Sequence, residues 1–169
     1  LTVTDNDGLT ATSRQSVTVY APTHDIAVSY MWVSPTYVYV GDTVRGEVGV
    51  YNQGTVSETF NVYVFADTNA TVIGDEIVIA VFTDVNLSYG SSRYLSFEWR
   101  TTDVDPGSYT ISAKVLPVAG EVDIADNILV GSTVTVALRP PMAYFNWQPQ
   151  TPYVGDTVVF NASASYDQD

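Results

Sequence analysis

Cysteine is absent from this sequence, and His24 is its one histidine. The chain can therefore form no disulfide and has no thiol nucleophile or thiolate metal ligand. A zinc site would need an unusual set of carboxylates, because protein zinc sites are built mostly from cysteine and histidine. His24 lies where a linker enters the first strand of the central region, and we interpret it as a surface residue rather than a general base. We expect no enzyme activity in this segment.

Basic residues are also scarce: six Lys and Arg stand against nineteen Asp and Glu, which gives a formal net charge of −13. A non-specific nucleic-acid binder needs a basic face to displace counterions from phosphates, and an anionic membrane surface attracts basic residues in the same way. No apolar run approaches the roughly 18 residues of a membrane-spanning helix. We therefore predict neither a nucleic-acid partner nor membrane insertion. Since Leu1 is not a start residue, we expect the segment to belong to a longer protein.

What the sequence does contain favours a folded, all-β chain. Hydrophobic residues make up 46% of it and charged residues 15%, the reverse of the balance in disordered acidic chains. Valine, threonine and tyrosine, which suit a pleated, half-buried surface, are abundant. Between residues 23 and 137, about seven short alternating segments separated by turn residues predict an immunoglobulin-like β-sandwich. The sets expected to face inward are Val44, Gly46, Val48 and Val50; Phe60, Val62 and Val64; Ile77, Ile79 and Val81; Leu95, Phe97 and Trp99; and Tyr109, Ile111, Ala113 and Val115.

Tyr109 has the sequence context of a tyrosine corner, because it follows Gly107 by two residues at the start of a predicted strand. At such a position the tyrosine hydroxyl bonds back to the upstream backbone where the chain crosses between sheets. We therefore assign structural roles to Gly107 and Tyr109, and also to Trp99, which lies on an inward register. For the other rings, including Trp32 and Trp147, burial in a core is favoured over an exposed row for stacking on sugars.

The ends of the chain do not belong to the central sandwich, which we bound at residues 23–137. Residues 1–22 contain alternating segments at Leu1–Thr4 and Ser16–Tyr20, joined by a polar turn, and predict a hairpin cut from its neighbours. Residues 138–142 include two prolines and predict a short, stiff linker.

Residues 143–169 repeat part of the central region. Two predicted strands, Tyr144–Trp147 and Thr157–Ala162, accompany the segment Tyr153–Val158, which is identical to Tyr39–Val44. Both copies follow a tryptophan and a proline, and in each we expect the Gly-Asp pair to turn the chain from an edge strand to a buried one. The repeat predicts two sandwiches of related geometry in tandem.

Several motifs of the central region are shared with a known family: DIAV at 25–28, the VGDTV turn, VYNQGTVSETFNVYVF at 50–65, LSFEWR at 95–100, PGSYTISAKV at 106–115 and EVDIADN at 121–127. Through them, residues 24–137 resemble the CARDB domain, a cell-adhesion-related sandwich of bacterial and archaeal surface proteins. The resemblance implies a non-catalytic module.

The two ends resemble a second family. Residues 1–20 are similar to the last two strands of a polycystic-kidney-disease (PKD) domain, through the segment LTVTDNDGLTATS. Residues 143–169 are similar to the beginning of another PKD domain, through YFNW and YVGDTVVFNASASYDQD. The WDFGDG core of PKD domains is absent from both partial copies. The resemblance implies the order PKD tail, CARDB-like sandwich, PKD head.

Oxygen-bearing side chains crowd the turns at both ends of the chain. Calcium prefers such ligands, whereas Asp and Asn in turns also accept local backbone hydrogen bonds and then bind nothing. Both interpretations stay open, so the cofactor is either none or Ca²⁺. The candidate ligands are Asp5 and Asp7 near the start and Asp167 and Asp169 near the end, to which the PKD resemblance adds Asn161 and Ser163.

Three N-glycosylation sequons begin at Asn69, Asn86 and Asn161. Asn69 and Asn86 fall in predicted loops, where a glycan can project into water. Asn161 falls on or next to a strand and is the weakest of the three.

These observations predict a structural or adhesive repeat segment of a large extracellular surface protein, such as an adhesin, a surface layer or an extracellular filament. Its partners would be copies of itself or neighbouring surface proteins, with divalent cations bridging acidic faces, and the composition fits an archaeal exterior. The alternative is an accessory module of a secreted hydrolase that binds polysaccharide or protein. A third hypothesis is intermolecular strand completion by residues 1–20 and 143–169.

Overall fold

The computed structural model describes residues 1–68 and 76–168. None of these residues forms a helix with the length and hydrophobicity needed to cross a membrane. The strands in these ranges are β1 (Thr2–Thr4), β2 (Thr10–Thr12), β3 (Ile26–Ser34), β4 (Tyr37–Tyr39), β5 (Thr43–Asn52), β6 (Glu58–Asp67), β7 (Ile77–Leu87), β8 (Ser92–Arg100), β9 (Gly107–Val115), β10 (Ile128–Ala137), β11 (Asn146–Gln148) and β12 (Val159–Asn161).

Strands β3 to β10 form two facing sheets. One sheet has the order β3-β5-β8 and the other β4-β10-β9-β6-β7. The neighbours are antiparallel except for β4 and β10, which are parallel. The all-β, immunoglobulin-like fold is confirmed, and the short β4 is the strand that the expected seven did not include.

The interior between the sheets is filled by side chains of alternating residues. Val44, Val48 and Val50 of β5 are fully buried, and they face residues such as Ile111 and Val115 of β9 across the interior. Burial of this kind stabilises the fold by about 25 cal/mol for each Å² of apolar surface removed from water. The inward sets expected for β5, β6, β8 and β9 are those observed.

The expected inward set of β7 is wrong in part. Antiparallel partners point to the same face, and buried Val64 is paired with Ala80, so Val81 points outward and is 47% exposed. Two register shifts interrupt the β6–β7 pairing, and Asp84 has a positive φ of 55°. These irregularities break the simple alternation, which is common in strands at the edge of a sheet.

Tyr109 has the hydrogen bond that defines a tyrosine corner. Its hydroxyl donates to the carbonyl oxygen of Asp105 at 2.7 Å, and its ring meets the buried Trp99 edge to face at 5.4 Å. Gly107 begins β9 beneath that ring. The three residues thus pin the crossing into β9 to the core.

The flanking segments form two small separate sheets, β1 with β2 and β11 with β12. The strand expected at Ser16–Tyr20 is wrong: residues 13–25 contain no strand, and Val17 and Val19 are exposed. Alternation alone is not sufficient, because an extended segment needs a partner strand or a core to lie against. Met142, the last residue of the predicted linker, pairs with Tyr166.

Candidate functional site

The candidate calcium ligands near the start of the chain lie in the β1–β2 turn. Oδ1 of Asp5 accepts hydrogen bonds from the backbone N–H groups of Asp7 and Leu9, at 3.0 and 2.9 Å. This is the local turn-capping role of aspartate. The Asp5 oxygen that faces the turn is therefore already engaged by the chain itself.

Among the candidate calcium ligands near the end of the chain, Asn161 has the same turn-capping role as Asp5. Oδ1 of Asn161 accepts the N–H of Ser163 at 2.9 Å, and Asp167 lies a few residues further on the exposed surface. Asp169 lies outside the described residues. Within residues 1–68 and 76–168, no three His, Asp or Glu side chains form a group that could hold a metal ion.

The sequons have different surroundings. Asn69 lies outside the described residues. Asn86 lies near the end of β7 rather than in a loop, and its exposed amide nitrogen donates to Oγ1 of Thr59 at 2.9 Å. Asn161 is exposed within β12. The loop expected at Asn86 is wrong because the strand continues past the Asp84 irregularity.

A cluster that the sequence reasoning missed lies where β3 begins and the β9–β10 connection ends. We call Asp25, Glu121, Asp123, Asp126 and Asn127 the acidic corner. Glu121 accepts the N–H groups of Ile26 and Val118 at 2.8 and 2.7 Å. The Val28 N–H donates to the carbonyl of Asp126 at 2.9 Å. The start of β3 is thus bound to the residues that lead into β10.

The surroundings of the acidic corner disfavour the ionised forms of Asp25 and Asp126. Burial raises the pKa of Asp25, and the nearby charges of Asp126, Asp123 and Glu121 raise it further. Burial also raises the pKa of Asp126, although a backbone hydrogen bond and Gln53 partly oppose the rise. Nε2 of Gln53 donates to Oδ2 of Asp126 at 2.6 Å. Both shifts mean that the neighbouring groups do not fully compensate the ionised carboxylates.

His24 lies beside this corner. Its ring nitrogen Nδ1 pairs with the carboxylate of Glu58, and its ring lies against Gly120. It is half-buried rather than a free surface side chain. The histidine therefore fixes the connection before β3 to the sandwich.

A second feature is a row of rings on the outer face of the β3-β5-β8 sheet. We call Tyr30, Trp32 and Tyr94 the aromatic face. Tyr30 and Tyr94 meet edge to face at 5.8 Å, above Gly49, where a Cβ atom would lie 2.9 Å from Cβ of Tyr30 and 3.0 Å from the ring of Tyr94. Trp32 is 49% exposed and Tyr94 60% exposed. The expectation of core burial is wrong for Trp32, because it points to the outer side of an edge strand, and also for Trp147, which is 39% exposed.

A depression of about 500 Å³ adjoins Trp32. It contains an exposed ion pair, in which Nε of Arg45 lies 3.0 Å from Oε1 of Glu98. Rings beside charged and hydroxyl groups are the usual components of a surface that binds sugars. The lining residues are Trp32, Arg45, Gly46, Glu47, Ser96, Phe97 and Glu98.

The third feature joins the two ends of the sandwich. β4 pairs in parallel with β10, through Tyr37–Thr135, Val38–Val136 and Tyr39–Ala137, and we call this pair the end-strand clamp. Directly after β10, the Arg139 guanidinium pairs with Asp42 and lies 4.8 Å from the centre of the Tyr39 ring. The segment that leaves the sandwich after β10 is thus bound to β4 and to the turn that follows β4.

These features define an immunoglobulin-like sandwich module with candidate binding features on its surface. In the comparison with protein families, residues 23–123 match CARDB. The chain belongs to the CARDB family. CARDB domains are non-catalytic modules that occur in surface proteins. The comparison with curated proteins finds no match.

Solved structures agree with the family. The crystal structure of a CARDB domain from Pyrococcus furiosus, described as being in complex with di-metal ions, is 23% identical with a TM-score of 0.52, and the match covers 72% of this chain and 100% of that one. Its solution NMR structure is 22% identical with the same TM-score, over 70% and 100% of the two chains. A β-glucosidase from Erythrobacter marinus is 16% identical with a TM-score of 0.50, over 68% of this chain but 16% of the glucosidase. At these identities the likeness shows the fold.

Proposed function

We propose that this chain is a non-catalytic, load-bearing repeat segment of a large extracellular surface protein, of the adhesin, surface-layer or filament type. The observation that carries the proposal is the end-strand clamp. The PKD-like assignment of residues 1–22 and 143–169 is part of the same proposal, and it is supported by the segments LTVTDNDGLTATS and YVGDTVVFNASASYDQD.

The clamp suits tension along the chain. β4 belongs to the N-terminal segment of the sandwich and β10 is its last strand, so force applied through the two ends pulls these strands in opposite directions. Because they are parallel neighbours, the force acts along the strands and loads their hydrogen bonds together. The bonds that close the pair run from the N–H of Thr135 to the Thr36 carbonyl at 2.9 Å and from the N–H of Val40 to the Ala137 carbonyl at 3.0 Å.

Single-molecule force spectroscopy on the full chain tests this proposal. Val40→Pro removes the donor of one clamp bond and should lower the force at which the sandwich unfolds. Val154→Pro, at the equivalent position of the second YVGDTV copy, is the matched control and should leave that force unchanged. Circular dichroism verifies that both variants fold. Equal unfolding forces for Val40→Pro and the wild type would contradict a load-bearing role of the clamp.

A second candidate function, binding of polysaccharide as an accessory module, is favoured by the aromatic face. Rings held rigidly over Gly49 lose little conformational entropy on binding, and aromatic rings can stack on the apolar faces of sugars. The proposed partner is an extracellular polysaccharide, which needs no charge complementarity to the acidic chain.

Pull-down with insoluble polysaccharides and a glycan array, both with the full chain, distinguish this function. Trp32→Ala combined with Tyr94→Ala should abolish saturable binding. Tyr89→Ala removes an equally exposed ring from the turn after β7 and should retain it. If the wild type binds no glycan, or if Tyr89→Ala loses binding to the same extent as the double variant, the aromatic face is not a sugar site.

The di-metal ions of the Pyrococcus domain belong to that protein. We extend divalent-cation binding to this chain as part of the proposal, because buried oxygen atoms without hydrogen-bond partners are present among its described residues. The turn oxygens of Asp5 and Asn161 fit a metal less well, since each already accepts a backbone N–H.

A further inference from the structure

Three side-chain oxygens in the acidic corner are shielded from solvent and have no hydrogen-bond partner: Oδ1 of Asp25, Oδ1 of Asp126 and Oδ1 of Asn127. We infer that these oxygens are ligands of a calcium ion that joins the start of β3 to the start of β10. The inference names the site of the divalent-cation binding that is part of the proposed function and rests on that part; it is independent of the mechanical part, which the unfolding force of Val40→Pro tests.

Asn127 is the observation that points to a ligand. It is 2% exposed, and its Nδ2 donates to the Ile26 carbonyl and to Oε1 of Glu121, both at 3.1 Å. Rotating the amide by 180° would place its oxygen against these two acceptors, so the observed orientation is fixed. The unpartnered Oδ1 cannot find a donor by turning.

Asn52 gives the contrast within the same sandwich. It is as deeply buried as Asn127, yet its Oδ1 accepts the N–H of Gly54 at 3.0 Å and its Nδ2 donates to the carbonyls of Val56 and Leu87. Buried polar atoms are normally satisfied in this way. An acceptor that lacks a partner, together with one unpartnered oxygen on each of two nearby carboxylates, therefore requires an explanation.

A cation supplies what the corner lacks. The basic side chains that form ion pairs among the described residues are His24, Arg45 and Arg139, and their partners lie elsewhere. Water molecules can donate to such acceptors, but they offset no charge. A divalent cation binds all three oxygens and compensates two carboxylates whose burial is otherwise costly.

The donor set favours calcium over other metals. Two carboxylates and an amide oxygen are hard ligands, and Ca²⁺ accepts irregular sets of six to eight oxygens, whereas Mg²⁺ requires near-octahedral geometry and retains its waters. The set contains two carboxylates and no histidine, so it differs from the three-residue acidic or histidine groups that are absent from the described ranges. With two carboxylate charges, we expect a dissociation constant of about 10⁻⁴–10⁻³ M for calcium, the range of extracellular calcium-binding modules.

Calorimetric titration of the full chain with CaCl₂, and its thermal unfolding in EDTA and in CaCl₂, test the inference. The wild type should bind calcium saturably and unfold at a higher temperature with it than in EDTA. MgCl₂ at the same concentration should produce a smaller shift.

Asp126→Asn removes one charge and offers N–H donors to the neighbouring oxygens. It should abolish the calcium-induced shift while unfolding in EDTA at the wild-type temperature or above, a combination that a merely destabilised variant cannot produce. Asp5→Asn is the control, because Oδ1 of Asp5 caps the local N–H groups of Asp7 and Leu9 in the β1–β2 turn, and it should retain the shift. The inference is overturned if the wild type shows no calcium-induced shift, if Asp126→Asn retains it, or if Asp5→Asn abolishes it instead.

Discussion

The segment YVGDTV occurs twice, at 39–44 in the sandwich and at 153–158 in the flanking segment, and both copies make the same turn. In each, the tyrosine N–H donates to the aspartate carboxylate, at 2.9 Å for Tyr39–Asp42 and 2.7 Å for Tyr153–Asp156. The aspartate N–H returns to the tyrosine carbonyl at 3.0 Å in both. The glycine between them has a φ of 88° in the first copy and 101° in the second, a conformation that glycine adopts without strain.

After the turn the two copies differ. The first continues into β5, which has ten residues and lies between β3 and β8, and the second reaches the three-residue β12. Val44 of the first copy is fully buried, whereas Val158 is half-exposed. Identical local sequences therefore determine the turn, and tertiary packing determines how far the strand extends.

The first turn is also held by residues that are distant in the chain. Buried Thr101 places its hydroxyl 3.0 Å from the Tyr39 carbonyl and 2.9 Å from that of Asp42, and Arg139 pairs with the Asp42 carboxylate. The six residues that the copies share do not encode these partners. The comparison separates what a short motif specifies from what a complete sandwich adds.

The largest effect is expected from exchanging the residues that follow the motif, Gly46 and Phe160. A Cβ at Gly46 would collide with the ring of Phe97 and lie 2.8 Å from the Trp32 carbonyl oxygen, so Gly46→Phe should cost more than the roughly 1–3 kcal/mol of ordinary overpacking. Phe160→Gly, on an exposed strand, should leave the unfolding of the sandwich unchanged. Urea denaturation of both variants measures the difference, and equal midpoints would contradict the comparison.

A smaller effect is expected from shortening the equivalent valines. Val44→Ala removes two buried methyl groups and leaves a cavity, at a cost of about 2 kcal/mol in the free energy of unfolding. Val158→Ala removes the same groups from a half-exposed position and should change the free energy of sandwich unfolding by less than about 0.5 kcal/mol. If the two losses were equal, packing would not be the difference between the copies.

Much of the fold was predictable because its pattern is local. The alternation in β5, β6, β8 and β9 and the spacing of Gly107 and Tyr109 are short-range signals, and the structure agrees with them. The errors have non-local causes. Ser16–Tyr20 alternates but has no neighbouring strand, and the face of β7 depends on its register with β6.

The acidic corner escaped prediction for the same reason. Asp25 and Asp126 are far apart in the sequence and meet through the pairing of β3 with the residues before β10. The available signal was the pair of family motifs DIAV and EVDIADN. Asp25 of the first directly precedes β3, and Asp126 of the second lies two residues before β10. Sequence reasoning instead favoured acidic residues that are neighbours in the chain, at Asp5 and Asp167, where turn-capping is the commoner role.

The smallest predicted effect is on the pH dependence of stability. It compares an aspartate of the sandwich, Asp126, with one of a flanking segment, Asp5. Asp25 and Asp126 have raised pKa values in the folded state, so the folded chain binds more protons than the unfolded chain between the unfolded and folded pKa values. Stability in EDTA should therefore fall as pH rises through the folded pKa. Asp126→Asn should weaken this slope, with Asp5→Asn in the exposed β1–β2 turn as the control. Parallel profiles for Asp126→Asn and the wild type would contradict the assignment.

The most direct test of the account is amide hydrogen exchange of the full chain, followed in both YVGDTV copies in one sample. Amides in the central strand β5 open through unfolding of the whole sandwich, whereas those of β12 need a local opening. We predict that the β5 amides exchange at least about a hundredfold more slowly than the β12 amides. Similar exchange rates in the two strands would contradict the claim that packing between the two sheets, rather than the shared motif, stabilises this protein.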